Sequence, residues 1–561
     1  MGRAEVGSRC RCRAVMRERG AMADGFDLRD ERWIPVRLVD GASLRVGLRE
    51  LFHRADEIVD LELPVPPAAS GLLRILAAMT SRIAAHDGVR LDDEDLAEDI
   101  HGWLRLRNRI LAEGRFDPQR VNAYLDEEVP KGHLDLFDGD RPFLQDPRLR
   151  SQCVDGQGRP NPSGVNKLVL GRPTGVNGAV LFGHFNDADP VPVPAAEAAW
   201  HVIAQLYYGP SGQCTPRRIT TVKPGNGDAG PLRKSVSYHP WADDLFTTLV
   251  LAVPQPGMCG EASEEEEDAC PWEAQELPDP LGPLPPMSWP GRVLTGRARH
   301  AVLLEPSPDG RSVAQAYLTW STHQPPHAVR DPYVIYDMPK AGGEPFARPA
   351  DASRALWRDL DALLLKGGGQ SRRPAALENL PRTLRTGLRV RAYGFDQDGQ
   401  QRDSAWFEAT TPPVLQWRED GPQPEVALRV GHCRECAELV GDRLHFAARL
   451  AWRLSTEPEV DPAAKVKLDA KKPGPWAQAA AARYWPAAER VFWDLLAEDS
   501  RQDDPRPRFV TAALDALDAA IGATAADVRV ARARSRARAV LNGLMQQPGP
   551  RKAATTLGSD A

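Results

Sequence analysis

The chain has 561 residues and a formal net charge of −6, with 42% hydrophobic and 26% charged residues. This length predicts roughly two to four domains. No apolar run approaches the roughly 20 residues that a membrane-spanning helix needs, and the negative charge excludes a protein that coats nucleic acid by bulk attraction. Any nucleic-acid contact must therefore use local basic patches or basic partner subunits.

The first 24 residues are rich in arginine and contain neither the pattern of a folded element nor the apolar core of a signal peptide. We predict a disordered extension over residues 1–24. Eight cysteines are scattered along the chain, a low density that predicts reduced thiols and a cytoplasmic protein without membrane partners.

The folded pattern begins at residue 25. Residues 33–39 form an extended apolar run, and the aspartate–glycine turn that follows predicts a hairpin with residues 44–46. Helices are predicted at residues 48–52 and 68–83. In the second helix, leucine, isoleucine and methionine recur at helical spacing, which predicts one buried face.

The middle of the chain is more irregular. A helix is predicted at residues 94–112, and residues 130–230 are then rich in glycine, proline and asparagine, interrupted by a predicted helix at 194–208. Long irregular segments on a packed scaffold are typical of binding regions. Strands are predicted at residues 302–304, 317–320, 388–393 and 406–409.

The apolar period becomes helical after Pro422. Four amphipathic segments follow, at residues 430–454, 479–497, 509–521 and 528–544. Since their connectors are charged or rich in proline, we predict an antiparallel four-helix bundle over residues 422–546. The predicted fold class is α+β, with a mixed α/β body over residues 25–421, this bundle, and a disordered tail over residues 547–561.

One segment, residues 366–373, reads KGGGQSRR, and we call it the glycine finger. Its glycines let the backbone approach another surface closely, and its amide, hydroxyl and guanidinium groups are good hydrogen-bond donors. One interpretation is a helix cap followed by a solvated loop. The other is a finger that enters a nucleic-acid groove or separates a base step.

Candidate metal and catalytic residues are few. Cys433 and Cys436 are spaced like half of a zinc site, but no second pair accompanies them. Both also lie on the apolar stripe of a predicted helix, so we interpret them as buried thiols. No nucleophile elbow or dinucleotide fingerprint is present. The sequence therefore predicts no catalytic residue, metal site or cofactor, and favours a binding subunit over an enzyme.

The last predicted helix is rich in arginine. At about 100° per residue, Arg529, Arg532 and Arg536 share one face, whereas Arg534 and Arg538 point nearly opposite. The shared face is either simply solvated or in contact with a phosphate backbone or a neighbouring subunit.

The order of these segments resembles the large subunit, often called CasA, of the type I-E CRISPR surveillance complex (Cascade). The similar segments are residues 26–28, 33–36, 142–145, 166–168, 174–177, 181–182, 393–395 and 410–413. The resemblance implies a non-catalytic subunit that tests double-stranded DNA for the short protospacer-adjacent motif (PAM). In this family a glycine loop, a lysine finger and a glutamine wedge approach that motif from the minor groove, and the wedge opens the duplex for pairing with guide RNA.

The resemblance assigns these elements to particular residues. The implied DNA-binding residues are Gly209, Pro210, Ser211 and Gly212 in the glycine loop, and Gly368, Gly369, Gln370, Ser371 and Arg372 in the glycine finger, with Gln370 as the wedge. The lysine finger has no counterpart, because residues 273–277 contain no lysine. Either Lys223 or Lys234 supplies the donor instead, or the PAM preference differs.

Residues 166–185 resemble the family's long loop, which docks near the 5′ handle of the guide RNA and the adjoining backbone subunit. Its implied contact residues are Asn166, Lys167, Asn177 and Phe182. The implied partners are target DNA, guide RNA, the backbone, handle-binding and small subunits, and a nuclease-helicase that the complex recruits. Two alternatives stay open: a scaffold subunit without direct DNA contact, and a nuclease with a dispersed active site.

Overall fold

The computed structural model describes residues 25–84, 100–174, 184–219, 225–260, 268–339, 342–365, 371–398, 402–457, 468, 473–497, 504–522 and 527–546. Over these residues the chain combines fourteen α-helices with several small antiparallel sheets. This agrees with the predicted mixture of helix and sheet. None of the helices in the described ranges is long and apolar enough to cross a membrane.

The described strands pair only in sheets of two or three strands. They are β1 (Ile34–Leu38), β2 (Ser43–Val46), β3 (Ile58–Leu61), β4 (Val193–Pro194), β5 (Gly212–Gln213), β6 (Asn226–Gly227), β7 (Val236–Trp241), β8 (His300–Pro306), β9 (Ser312–Trp320), β10 (Tyr336–Asp337), β11 (Phe346–Ala347), β12 (Ser371–Arg372), β13 (Arg389–Asp398) and β14 (Arg402–Thr410). The strand orders are β2-β1-β3, β11-β10-β12, β14-β13-β7, β4-β9-β8 and β5-β6. The predicted hairpin after residue 33 is confirmed as β1 and β2.

The helices range from single turns to the long α11. They are α1 (Leu48–His53), α2 (Pro66–Ile83), α3 (Ile100–Glu113), α4 (Pro118–Ala123), α5 (Leu149–Gln152), α6 (Val165–Leu168), α7 (Ala195–Tyr208), α8 (Leu245–Ala252), α9 (Gly291–Thr295), α10 (Leu360–Leu364), α11 (Pro424–Thr456), α12 (Pro475–Ala497), α13 (Arg506–Ile521) and α14 (Val528–Asn542). The predicted helices before residue 84 and after Pro422 are therefore confirmed as helices.

Helix α2 lies at the centre of a first hydrophobic core. The sequence predicts one buried face, but every residue after Pro66 in this helix is buried, so that part of the prediction is wrong. Helices α7, α8 and α9 pack around it, and its two arginines have acidic partners. Arg74 pairs with Asp331 at 2.9 Å, and Arg82 pairs with Asp268 at 2.8 Å.

The sheet β14-β13-β7 separates this first core from a second one. In β13, Val390 and Ala392 belong to the second core, whereas Tyr393 and Phe395 belong to the first. Since successive side chains of a strand point to opposite faces, one strand serves both cores. The second core continues into α10 and the four C-terminal helices.

The C-terminal helices pack against one another. Helix α11 contacts α12, α13 and α14, and α13 also contacts α12 and α14. Cys433 and Cys436 lie in the buried stripe of α11, as predicted. The antiparallel bundle topology and the domain boundary near residue 422 stay predictions.

Replacing Arg74 should show how far the fold depends on its buried ion pair. Arg74→Met leaves the Asp331 carboxylate buried without its main partner, so we expect the free energy of unfolding to fall by about 3–5 kcal/mol. Urea unfolding followed by tryptophan fluorescence measures the loss. The double variant Arg74→Met/Asp331→Asn removes both charges and should recover part of it. An Arg74→Met variant as stable as the wild type would contradict this role.

Candidate nucleic-acid interface

The glycine loop, Gly209–Gly212, follows directly after α7 and uses its two glycines differently. A side chain on Gly209 would lie 2.5 Å from the Gln205 carbonyl oxygen and 2.6 Å from the His300 ring, so no larger residue fits there. Gly212 has a φ of +111° and open space around it, a conformation that favours glycine. The exposed residues between them are Pro210 and Ser211. Gly209 therefore serves internal packing, and Pro210 and Ser211 form the exposed part of the loop.

His300 lies beneath the glycine loop and holds it. Its Nε2 lies 3.0 Å from the Pro210 carbonyl oxygen, and since a carbonyl only accepts, Nε2 carries the proton. The residue is 5% exposed. Burial lowers the pKa of His300 to about 4, although the bond to Pro210 acts in the opposite direction. The ring is therefore neutral at pH 7 and acts as a fixed donor to the loop.

A short hairpin of β5 and β6 continues from the glycine loop. The Lys167 ammonium donates to the Gln213 carbonyl oxygen in β5 at 3.4 Å. Lys167, implied to lie beside guide RNA, is thus placed next to the glycine loop. Of the two lysines considered for the missing finger, Lys234 is exposed with a φ of 68°, and Lys223 lies outside the described residues.

Asn166, which the resemblance implies as a contact of guide RNA, also bonds within the chain. It is fully buried, and its Nδ2 donates to the Asn186 carbonyl oxygen at 2.9 Å and to Asp187 at 3.0 Å. The side chain therefore joins the two described ends of the long loop, and its contact with guide RNA stays a prediction. Asn177 and Phe182 lie outside the described residues.

The glycine finger is described from Ser371 onwards. Gly368, Gly369 and Gln370, the implied wedge with its flanking glycines, lie outside the described residues. Before them, α10 ends at Leu364 and packs against α11. After them, β12 pairs with β10 in a three-stranded sheet. Both ends of the finger are therefore attached to packed elements.

The base of the finger is held by a polar cluster. Ser371 donates from its Oγ to the Asp337 carboxylate at 2.7 Å and accepts from Arg348 at 2.8 Å. Arg348 also donates to Asp337 at 2.8 Å. Ser371 is therefore held by the sheet and the polar cluster, and Arg372 beside it is exposed.

A chain of hydrogen bonds connects the glycine loop with the finger base. The hydroxyl of Tyr208, the last residue of α7, donates to Ser70 Oγ at 2.8 Å. Arg74 donates to the same Oγ at 2.8 Å and to Asp331 at 2.9 Å. The Asp331 N–H then donates to the Tyr336 hydroxyl at 2.8 Å, and Tyr336 lies in β10 beside the finger base. Through α2, the end of α7 is thus connected to the strand that pairs with the described end of the finger.

Neither His300 nor the residues of this hydrogen-bond chain were predicted from the sequence. One signal was present, because Arg74 interrupts an otherwise apolar helical run. A charged residue in such a position is almost always paired when it is buried. The identity of its partner is not visible in the sequence, since Asp331 is 257 positions away.

The arginine face of α14 lies on the surface, as predicted. Arg529, Arg532 and Arg536 are exposed, and none of them forms an ion pair with another described residue. Arg538, on the other side of the helix, pairs with Asp518 of α13. The exposed face is therefore free of intramolecular countercharges within the described part of the chain.

The neutral state of His300 gives a pH dependence with a definite sign. Its folded pKa of about 4 lies below the ordinary value of about 6.5. The unfolded chain thus binds more protons between these values, and His300 loses its stabilising contribution as the pH falls through this window. His300→Gln keeps an N–H donor for Pro210 but does not titrate. Relative to this variant, the wild type should lose about 1.4 kcal/mol per pH unit within the window.

Urea unfolding of both proteins at pH 7, 6 and 5 measures this difference. A stability difference that does not change with pH would show that His300 titrates alike in the folded and unfolded chains.

Comparison with known proteins identifies the family. The family model of CRISPR-associated protein Cse1 matches residues 27–528. A solved chain of a CRISPR RNA-guided surveillance complex is 40% identical, covers 92% of this chain and 99% of its own, and has a TM-score of 0.78. A chain of such a complex in a pre-nicking state is 39% identical, covers 93% of this chain and 100% of its own, and has a TM-score of 0.71.

More distant structures share the fold. Thermus thermophilus CasA (Cse1) is 21% identical, with coverages of 93% of this chain and 99% of its own and a TM-score of 0.67. No curated protein matches the chain. Since the family model matches residues 27–528, which include the body and the first three C-terminal helices, the chain belongs to the CRISPR-associated protein Cse1 family.

Proposed function

We propose that this chain is the non-catalytic large subunit of a type I-E CRISPR surveillance complex and that it tests double-stranded DNA for the PAM. The assembly is supported by 40% identity, over 92% of this chain, to a chain of a CRISPR RNA-guided surveillance complex. The body, residues 25–421, carries the PAM contacts, and the helical bundle, residues 422–546, contacts the DNA backbone or neighbouring subunits. The complex then recruits a nuclease-helicase.

The observation that carries the DNA-testing role is the hydrogen-bond chain between the glycine loop and the finger base. Elements that contact neighbouring base pairs must keep a fixed spacing, because recognition tolerates errors of only about 0.5 Å. The route through Ser70, Arg74 and Asp331 is buried. A buried and fully bonded polar network is rigid, so it supplies this fixed spacing.

The exposed residues of the glycine loop and of the described end of the glycine finger suit contact with a DNA minor groove. That groove is only about 6 Å wide, and the loop presents a proline, a serine and a glycine there, which make a thin profile. A wedge must overcome an unstacking cost of about a few kcal/mol per base step. The exposed Arg372 beside the wedge contributes phosphate contacts that offset this cost.

Guide RNA and the backbone subunit are proposed to meet the long loop after Lys167. The half-buried Lys167 reaches Gln213, so this loop and the glycine loop are joined at one point. Docking of the long loop on the complex would therefore position the glycine loop as well. This connection links assembly of the complex to PAM testing.

Gln370 is the proposed wedge, and its replacement tests the proposal directly. In a complex assembled with Gln370→Ala, we expect binding to a PAM library to keep its selectivity while R-loop formation on the correct PAM falls at least tenfold. The reason is that the opened base step loses the side chain that takes its place. Fluorescence of a base analogue next to the PAM reports strand opening. Gln119→Ala, at an exposed glutamine of α4, is the matched control and should behave as the wild type.

The same assay separates the alternatives. A scaffold subunit without DNA contact would give normal opening with Gln370→Ala and with the control alike. A nuclease with a dispersed active site would cleave the library as purified chain with a divalent metal, before any complex is assembled. Either result would reject the proposed role.

The arginine face of α14 should set the strength of binding and not its selectivity. Replacing Arg529, Arg532 and Arg536 together by alanine should weaken DNA binding about equally for all PAM sequences. Each lost phosphate contact should reduce the slope of log K against log salt by about 0.9. The control is Arg538→Ala, which removes an intramolecular ion pair. Filter binding over a salt series measures both slopes, and equal slopes for the triple variant and the control would mean that the face is only solvated.

A further inference from the structure

Three side chains of different chemistry converge where α11 passes the start of α13. His432 and Cys436 lie one turn apart on α11, and Asp504 lies just before α13. One ligand atom from each residue, an imidazole nitrogen, the thiol sulfur and a carboxylate oxygen, lies within 4.8 Å of the other two. Among the described residues, no other group of three or more such side chains lies this close together.

The surroundings of these atoms point to a missing partner. His432 Nε2 is buried and makes no hydrogen bond within the described part of the chain, which is unusual for a buried polar atom. Cys436 is 3% exposed, whereas the Asp504 side chain is 40% exposed. The cluster is thus closed on the helix side and open at the carboxylate, which leaves an entry path for an ion and room for a water molecule.

We propose that His432, Cys436 and Asp504 bind a zinc ion that joins α11 to the start of α13. Nitrogen, sulfur and oxygen donors suit Zn²⁺, whereas Mg²⁺ and Ca²⁺ take oxygen ligands. Bonds of about 2.0–2.3 Å in a tetrahedral site place ligand atoms roughly 3.3–3.8 Å apart. Side-chain rotations that move the ligand atoms by about 1 Å bring the cluster from its present spacing of up to 4.8 Å to this size. A water molecule is the fourth ligand, and the thiol proton passes to solvent as the metal binds.

Arg506 orients the carboxylate. Its Nη2 and Nε donate to Asp504 Oδ2 at 2.7 and 3.0 Å, and its backbone N–H and the same Nε donate to Oδ1 at 3.0 and 3.2 Å. Since each carboxylate oxygen has two lone pairs and Nε is shared between both oxygens, a metal bound at Oδ1 would replace only the longer Nε contact. Such outer contacts commonly orient metal ligands. The positive charge of Arg506 does not exclude the ion, because the thiolate and the carboxylate together neutralise Zn²⁺.

The matched control comes from the same helix. Cys433 is also buried in α11 but does not belong to the cluster, so Cys433→Ser tests the loss of a thiol alone. We would treat the reduced full-length chain with chelator, titrate it with Co²⁺, and record the thiolate-to-cobalt absorption band. Wild type and Cys433→Ser should show the band at one equivalent, and Cys436→Ser should lose it. His432→Ala and Asp504→Asn should weaken binding at least tenfold.

Thermal unfolding with Zn²⁺ tests the site without the Cys436→Ser variant, in case that variant does not fold. One equivalent of Zn²⁺ should raise the thermal unfolding midpoint of the wild type by several degrees, and this increase should disappear in His432→Ala. The proposal fails if the wild type shows no thiolate band, or if His432→Ala responds to zinc as the wild type does. It also fails if Cys433→Ser and Cys436→Ser lose the band equally.

Discussion

The buried ion pair of Arg74 and Asp331 determines how the body of this Cse1 protein is assembled. Helix α2 is enclosed by other elements, so a charged group inside it must have partners. The Arg74 guanidinium has four such partners: besides Asp331 and Ser70, it donates to Ser237 in β7 at 2.9 Å and lies 4.8 Å from the centre of the Tyr333 ring. One side chain thus joins α2, the sheet between the two cores, and the segment that leads to β10.

Close packing at Gly71 acts together with this ion pair. A Cβ on Gly71 would lie 2.5 Å from the Ile203 side chain and 2.7 Å from the Tyr207 ring of α7, so these side chains pack directly on the α2 backbone, where only glycine leaves room for them. The end of α7, where the glycine loop begins, is therefore positioned by a contact in the core. The position of the glycine loop therefore depends on α2, which is itself buried.

The sequence was sufficient for elements whose apolar pattern has a clear period. The hairpin of β1 and β2 and the long C-terminal helices belong to this class. Strand β7 was missed because all six of its residues are buried, so it shows no alternation, and Pro240 within it argues against a central strand. The pairs that build the site were also not predictable, because Arg74 and Asp331 are 257 positions apart and only the folded topology brings them together.

The absence of lysine from residues 273–277 fits the ion pairs of the second buried arginine of α2. Arg82, one of the two buried arginines of α2, pairs with Asp268 at 2.8 Å and with Glu273 at 3.2 Å. Glu273 also accepts from the Tyr124 hydroxyl at 2.7 Å. A lysine at position 273 would place a second cation beside Arg82 and remove one of its carboxylates, at a cost typical of an unpaired buried charge. The buried Arg82 therefore favours a carboxylate over an ammonium group at position 273.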